Sequence, residues 1–210
     1  QTEQDIVKRT SQEQRAEDAG FYIVRKNFSM AIPELALLGF DQSELSIVLA
    51  MNAVAYALSK FLMGSVSDRS NARVFLPLGL VLSALVTMFL GTSAGISSIV
   101  MMFITQFLIG WFQGMGWPPC GRVMTHWFSQ NERGTKMSVW NVAHNVGGGM
   151  IGPMAAYGLL WFGSWQIGTF WFPAVVAIVG VFTCKAVGLA GPAILVGAIL
   201  GVVAAMLVSQ

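Results

Sequence analysis

The fold of this chain is decided by residues 45–95, which read LSIVLAMNAVAYALSKFLMGSVSDRSNARVFLPLGLVLSALVTMFLGTSAG. The stretch contains two long apolar runs, 45–66 and 74–95, on either side of the short charged segment 67–73. A helix that crosses about 30 Å of hydrocarbon needs about 20 mostly apolar residues. The two runs therefore predict two membrane-spanning helices, and the short connection makes them antiparallel neighbours.

The same pattern continues on both sides of this hairpin. Residues 19–38 include Arg25, Lys26 and Glu34, so hydropathy alone does not settle whether they cross the membrane. With that segment counted, the sequence predicts seven spans at 19–38, 45–66, 74–95, 97–118, 138–162, 167–184 and 186–208. The predicted connections are 39–44, 67–73, a turn near 95–98, a longer loop around 120–137 and another near 163–166.

Composition supports a membrane protein. The 210 residues contain only 12 Lys and Arg and 10 Asp and Glu, and 55% are hydrophobic, whereas about a quarter of a soluble domain is charged. A net charge of +2 is too small to indicate nucleic-acid binding. Cys120 and Cys184 stand far apart and outside any CxxC spacing, so neither a disulfide framework nor a metal site is predicted.

Enzyme motifs are not found in the spans. The sequence contains no HExxH, no GxSxG and no pair of carboxylates within the apolar segments, which argues against an intramembrane enzyme. We therefore predict no catalytic residues and no cofactor.

The positions of the basic residues predict the orientation. Nine of the twelve Lys and Arg fall before the first span or after the second, fourth and sixth spans, and the opposite loops have none. They are Lys8, Arg9, Arg15, Arg69, Arg73, Arg122, Arg133, Lys136 and Lys185. Because short basic loops stay in the cytoplasm, we expect a polar cytoplasmic N-terminus at 1–18, six spans within 19–184 and an additional transmembrane helix within 185–210.

The three remaining cations, Arg25, Lys26 and Lys60, lie within the spans. Each charge costs about 2.5–3.5 kcal/mol near the bilayer centre, and no acidic residue lies in the middle of a span. His144 adds a polar ring to the fifth span. Such an inward-facing cationic set predicts an anionic ligand, with arginine favoured because its planar fork matches phosphate oxygens.

Simpler interpretations stay open at this point. Arg25 and Lys26 are about 10 Å of helix from the polar N-terminal segment, so they could reach the interface along their aliphatic stems. Lys60 could do the same toward Asp68, and His144 could be a hydrogen-bonded packing residue. The glycines at 147–149 and at 152 most simply allow two helices to approach closely.

The charged connection has a more specific pattern, Gly64-Ser-Val-Ser-Asp68-Arg69-Ser-Asn-Ala-Arg73. It resembles the GxxxDRxxxR loop of the major facilitator superfamily. Around it, four segments resemble the organophosphate:phosphate antiporters of that superfamily, in particular the branch that carries glycerol 3-phosphate. They are FYIVRKNFSMAIPEL (21–35), AYALSKFLMGSVSDRSNARVFLP (55–77), GWFQGMGWPPCGRVMTHWFSQNERG (110–134) and SVWNVAHNVGGG (138–149).

The resemblance implies an all-α membrane fold, namely the N-terminal six-helix half of a major facilitator plus a C-terminal helix. It implies that glycerol 3-phosphate or a related organophosphate is exchanged for inorganic phosphate across the bacterial inner membrane. The implied substrate-binding residues are Tyr22, Arg25, Lys26, Tyr56, Lys60 and His144, with Arg25 the main phosphate ligand. The implied conformational-switch loop consists of Gly64, Asp68, Arg69 and Arg73.

The chain also departs from this family. Members have twelve spans, and a second arginine from their C-terminal half completes the phosphate site. Here the sequence passes from Cys184 through Lys185 into an apolar stretch rather than a long polar loop. We therefore expect an incomplete half-transporter, completed by a second copy or by a missing C-terminal half. A non-transporting sugar-phosphate sensor and a nonfunctional deletion product are the alternatives.

Overall fold

A computed structural model describes residues 20–187 of the chain. After a short helical segment at 20–25, and apart from one π-helix at Ile167–Trp171, the regular elements of this part are α-helices. They are α1 (Asn27–Leu37), α2 (Gln42–Arg69), α3 (Ala72–Leu90), α4 (Ile99–Gln113), α5 (Trp117–Trp127), α6 (Gln130–Phe162) and α7 (Phe172–Val187).

The six predicted spans between residues 19 and 184 all correspond to helical segments, and the predicted all-α class is confirmed. The first span is broken by a turn at Lys26. Helix α2 is 28 residues long, which is about 42 Å at 1.5 Å per residue and enough to cross a bilayer core. The predicted N-terminal segment 1–18 and nearly all of the predicted seventh span, 186–208, lie outside the described residues.

The predicted connection 67–73 is too long. Helix α2 continues through Asp68 and Arg69, and α3 begins at Ala72. Between them, Ser70 donates its side-chain hydroxyl to the carbonyl of Val66 at 2.7 Å, and the carbonyl of Asn71 accepts the first amides of α3. These bonds satisfy backbone groups at both helix ends, so the charged residues extend the helices rather than form a loop.

The predicted loop around 120–137 is wrong for most of its length. Helix α4 ends at Gln113, and a new helix, α5, begins at Trp117 with Pro118 and Pro119 in its first turn. Proline is compatible with that position, because the first turn of a helix leaves its N–H groups unbonded in any case. The prolines therefore start a helix, and only Phe128 and Ser129 separate α5 from α6.

Helix α2 packs along α4 through a seam of small and polar residues. A Cβ atom added at Gly110 would lie 2.4 Å from the carbonyl oxygen of Asn52, and one at Gly114 would lie within 2.4 Å of the Ser59 side chain. The Asn52 amide in turn donates to the carbonyl of Gln106 at 3.2 Å. Because Gly110 and Gly114 have no side chains, the two backbones approach closely.

Two of the glycines expected to allow close helix approach, Gly149 and Gly152, do not have that role. Substituents at Gly149 and Gly152 would meet nothing within 4 Å, whereas one at Gly158 would lie 2.3 Å from the Cα of Gly168 in the π-helix. The close approach of α6 thus occurs near its C-terminal end, which closes at Gly163 with a positive φ of 64°. Gly149 and Gly152 face a part of α6 that no described residue covers.

Two groups of buried side chains hold the helices together. One contains Phe21, Val24, Leu76, Leu80, Ala84, Cys120, Ala174 and Ala177. The other contains Phe28, Ala31, Leu35, Leu45, Val48, Leu90, Met102, Ile109 and Phe170. The first helical segment contributes to one group and α1 to the other, so the residues between Val24 and Phe28 are held in place from both sides.

The outer surface of the described helices is strongly apolar. Phe61 is 84% exposed, Leu37 82% and Leu160 76%. By length and composition, Gln42–Arg69 and the segment Ile99–Gly121 qualify as membrane spans, and Val74–Leu90 and Ile167–Gly180 are shorter apolar helices. Large exposed side chains of this kind fit contact with lipid rather than water.

The seam between α2 and α4 gives a stability prediction. We expect Gly110→Ala to destabilise the protein by about 1–3 kcal/mol, because the new methyl group collides with the backbone of α2. Gly149→Ala is the matched control, since both residues lie inside helices but Gly149 faces open space. Thermal unfolding of both variants in detergent checks this, and equal midpoints would mean that the seam is not tightly packed.

Candidate anion-binding pocket

Two cations from different helices meet on one aromatic ring. The guanidinium carbon of Arg25 lies 3.9 Å from the centre of the Tyr56 ring, and the Lys60 ammonium nitrogen lies 4.4 Å from the same point. Arg25 also lies 5.8 Å from the ring centre of Tyr22, and Lys60 lies 4.8 Å from that of Trp117. Aromatic faces stabilise nearby cations by about 0.5–2 kcal/mol each.

The local helical geometry accounts for this meeting. Tyr22 and Arg25 are three residues apart on the first helical segment, and Tyr56 and Lys60 are four apart on α2, so each pair shares a helix face. The intervening Ser59 is buried and donates its hydroxyl to the carbonyl of Trp111 at 2.5 Å. This bond fixes the turn of α2 that presents Tyr56 and Lys60.

The rings of Tyr22, Tyr56 and Trp117, together with Arg25, line a small pocket that is partly open to solvent. It is lined by Phe21, Tyr22, Arg25, Tyr56, Gln113, Gly116 and Trp117. Gln113 and Trp117 were not among the predicted site residues. The available signal was a glutamine in an otherwise apolar span with a tryptophan four residues later.

The structure separates Arg25 from its neighbour Lys26. Arg25 is half-buried and its side chain lies in the pocket, not along the first helix toward the N-terminal segment. Lys26 is exposed, and its ammonium would lie 3.7 Å from a Cβ atom at Gly148 on α6. Of the two cations, only Arg25 stands among the pocket-lining residues.

Two predicted residues have side chains outside the described set, namely His144 and Arg73. Position 144 lies one turn before Gly148 on α6, so it shares a helix face with the glycine that Lys26 contacts. The α6 backbone therefore brings position 144 to the side of the first helix on which Lys26 lies.

The predicted switch residues lie in the C-terminal part of α2. Gly64 is one turn beyond Lys60, and Asp68 and Arg69 are exposed in the last turn of the helix. The pocket and the charged connection are thus parts of one continuous helix.

Arg25 and Lys60 bring two positive charges close to each other. The distances to the Tyr56 ring place the charged groups of Arg25 and Lys60 no more than about 8 Å apart. At an effective dielectric constant of about 20, two unit charges at that distance repel by about 2 kcal/mol. An anion bound near both groups would offset this repulsion with two attractions.

The described helices and this pocket define an all-α membrane protein with a cationic site between its helices. The family model of the Major Facilitator Superfamily matches residues 19–193. The chain therefore belongs to the Major Facilitator Superfamily.

Curated relatives extend this result. The glycerol-3-phosphate transporter of Bacillus subtilis is 56% identical over 162 residues, which are 77% of this chain and 36% of that protein. A probable hexose phosphate transport protein of Chlamydia pneumoniae is 42% identical over 75% of this chain and 34% of its own length. The membrane sensor protein UhpC of Escherichia coli is 36% identical over 78% and 37%. The chain thus spans about a third of the length of these relatives.

The shared ring gives a prediction about binding. Tyr56→Leu removes the ring that both cations contact, and we expect affinity for inorganic phosphate to fall about tenfold, because two cation–π contacts are lost. Tyr56→Phe keeps the ring and serves as the control, with affinity expected within about threefold of wild type. Titration calorimetry of the purified variants is the measurement, and equal affinities of the Leu and Phe variants would contradict a positioning role for the ring.

Proposed function

We propose that this chain forms part of a carrier that moves glycerol 3-phosphate or a related organophosphate across the bacterial inner membrane in exchange for inorganic phosphate. Arg25 is the main ligand of the phosphoryl group, and Lys60 assists it from α2. In our proposal His144 approaches the anion from α6, whereas Lys26, which is exposed beside Gly148 of α6, attracts the anion from outside the pocket. The names of the relatives support this substrate class.

The observation that supports the proposal most strongly is the convergence of Arg25 and Lys60 on Tyr56. Two cations among apolar helices are unfavourable unless something compensates for lost hydration. A phosphate dianion compensates both, and the guanidinium binds two of its oxygens at once. Both substrates of the exchange have this phosphoryl group, so one site accepts each in turn.

The described helices supply one half of such a site. In our proposal a second set of helices, from the remaining length of the relatives or from another copy of this chain, faces the pocket and closes it. The two halves of these folds are related by an axis along the membrane normal, so a second copy could offer its own Arg25. Substrate binding then favours rocking of the halves, because affinity differs between the outward-open and inward-open states.

A sensor is the second candidate, favoured by the 36% identity to a membrane sensor protein. A sensor binds the ester without moving it across the membrane. Counterflow of labelled phosphate in proteoliposomes, measured beside equilibrium binding, separates the two functions. Binding together with exchange supports the carrier, and binding without exchange supports the sensor.

The role of Arg25 is tested by a change that keeps its charge. Arg25→Lys loses the bidentate fork, and one charge-assisted hydrogen bond contributes about 1.5–3 kcal/mol. We therefore expect affinity for inorganic phosphate and glycerol 3-phosphate to fall roughly ten- to a hundredfold. Arg133→Lys is the control, since Arg133 bonds the carbonyls of Thr125 and Phe128 at the C-terminal end of α5, outside the pocket. Unchanged affinity in Arg25→Lys would remove Arg25 from the site.

The proposed orientation is tested at the two ends of α2. We expect Gln42→Cys to react with a membrane-impermeant thiol reagent from the outside of intact cells, and Ser70→Cys to react only after the membrane is opened. The basis is the distribution of basic residues, which places the N-terminus and the connection after α2 in the cytoplasm. Buried Cys120 gives the background, and labelling of both positions from one side would contradict the topology.

A further inference from the structure

We propose that Gln113 recognises the carbon chain of the bound phosphate ester, because its side-chain carbonyl oxygen accepts a hydrogen bond from a hydroxyl group of that chain. This inference rests on the proposed function, since it takes an ester held by Arg25 and Lys60 as its starting point. It assigns a residue to the part of the substrate that the cations do not contact.

The orientation of the Gln113 amide follows from its neighbour. Gln113 is 3% exposed at the end of α4, and its Nε2 donates to the carbonyl of Phe21 at 3.4 Å. A carbonyl oxygen can only accept, so the amide nitrogen must face Phe21 and Oε1 must face away from it. Oε1 is buried and has no hydrogen-bond partner among the described residues.

A buried acceptor without a partner is unfavourable, and this one belongs to a residue that lines the pocket with Arg25 and Tyr56. An incoming donor would satisfy it. The phosphoryl oxygens are poor candidates because they are acceptors with negative charge, and they are drawn to the cations instead. The hydroxyls of a polyol chain are neutral donors, and a short ester extends from the cations toward the pocket wall that contains Gln113.

A site that pairs a substrate hydroxyl discriminates against an analogue that lacks it, because the protein acceptor is then left unpaired. One neutral hydrogen bond corresponds to about three- to tenfold in affinity. We expect this preference for glycerol 3-phosphate over propyl phosphate, which has the same three carbons and neither hydroxyl.

The same helix offers a matched control. Gln106 lies two turns earlier on α4, is 2% exposed and also has a buried Oε1 without a partner among the described residues. It faces the seam with α2, where its backbone carbonyl accepts from Asn52, and it is not among the residues that line the pocket. Gln113→Met and Gln106→Met therefore remove the same amide from two similar environments, only one of which adjoins the pocket.

The test measures binding of inorganic phosphate, glycerol 3-phosphate and propyl phosphate to the full chain and to both variants. We expect Gln113→Met to keep its affinity for inorganic phosphate within about threefold and to lose the three- to tenfold preference for the hydroxylated ester. Gln106→Met is expected to keep that preference.

Four results would overturn the inference. If the wild type binds glycerol 3-phosphate and propyl phosphate with equal affinity, the site has no acceptor for the substrate hydroxyl. If Gln113→Met keeps the preference for glycerol 3-phosphate over propyl phosphate, another residue binds the hydroxyl. If Gln113→Met no longer binds inorganic phosphate, Gln113 holds the cationic site in shape rather than recognising the hydroxyl. Wild type that binds none of the three anions contradicts the proposed function itself, and the inference with it.

Discussion

The placement of two cations against the ring of Tyr56 is the constraint on which the rest of the pocket depends. Arg25 and Lys60 reach that ring from different helices, at 3.9 and 4.4 Å from its centre. Their mutual repulsion is about 2 kcal/mol at an effective dielectric constant of about 20, and each cation–π contact returns about 0.5–2 kcal/mol. An anion that attracts both charges would stabilise the arrangement further.

The close packing of α2 on α4 makes this arrangement possible. Gly110 and Gly114 admit the backbone of α2, and Ser59 is bonded to the backbone of α4 at Trp111. Together they fix the rotation of α2, and therefore the direction of Tyr56 and Lys60. The pocket wall that contains Gln113 belongs to the same seam, so this packing fixes the position of the amide relative to the two cations.

Much of this arrangement was predictable from sequence because apolar length and helical spacing are local properties. The spans follow from apolar length, and the shared helix face of Tyr56 and Lys60 follows from their spacing of four residues. Tyr22 was implied only by the resemblance to the antiporters. The segment 120–137 was misjudged because Pro118 and Pro119 suggest a helix end, whereas position within the first turn makes them compatible with a helix start. Whether the two prolines fall in the first turn of α5 depends on where α4 ends, and residue spacing alone does not determine that point.

The divergence of Arg25 and Lys26 and the role of Gln113 required the tertiary structure. Adjacent residues on a helix point about 100° apart, so one of the two cations had to leave the pocket, but only packing decides which. Gln113 is one of three buried polar residues in an otherwise apolar helix, with Thr105 and Gln106, and its importance appears only when Phe21 orients its amide. The role of each glycine likewise depends on the tertiary structure, since a side chain at Gly110 would collide with α2 and one at Gly149 would meet nothing within 4 Å.

A double-mutant cycle on phosphate affinity tests the central claim most directly. Inorganic phosphate binding is measured for wild type, Arg25→Gln, Lys60→Gln and the double variant, all as the full chain. If both cations contact the same anion, the effects are not additive, and a coupling energy of about 0.5–3 kcal/mol is expected. Additive effects, or a Lys60→Gln variant that binds phosphate as wild type does, would contradict a shared anion site at Tyr56.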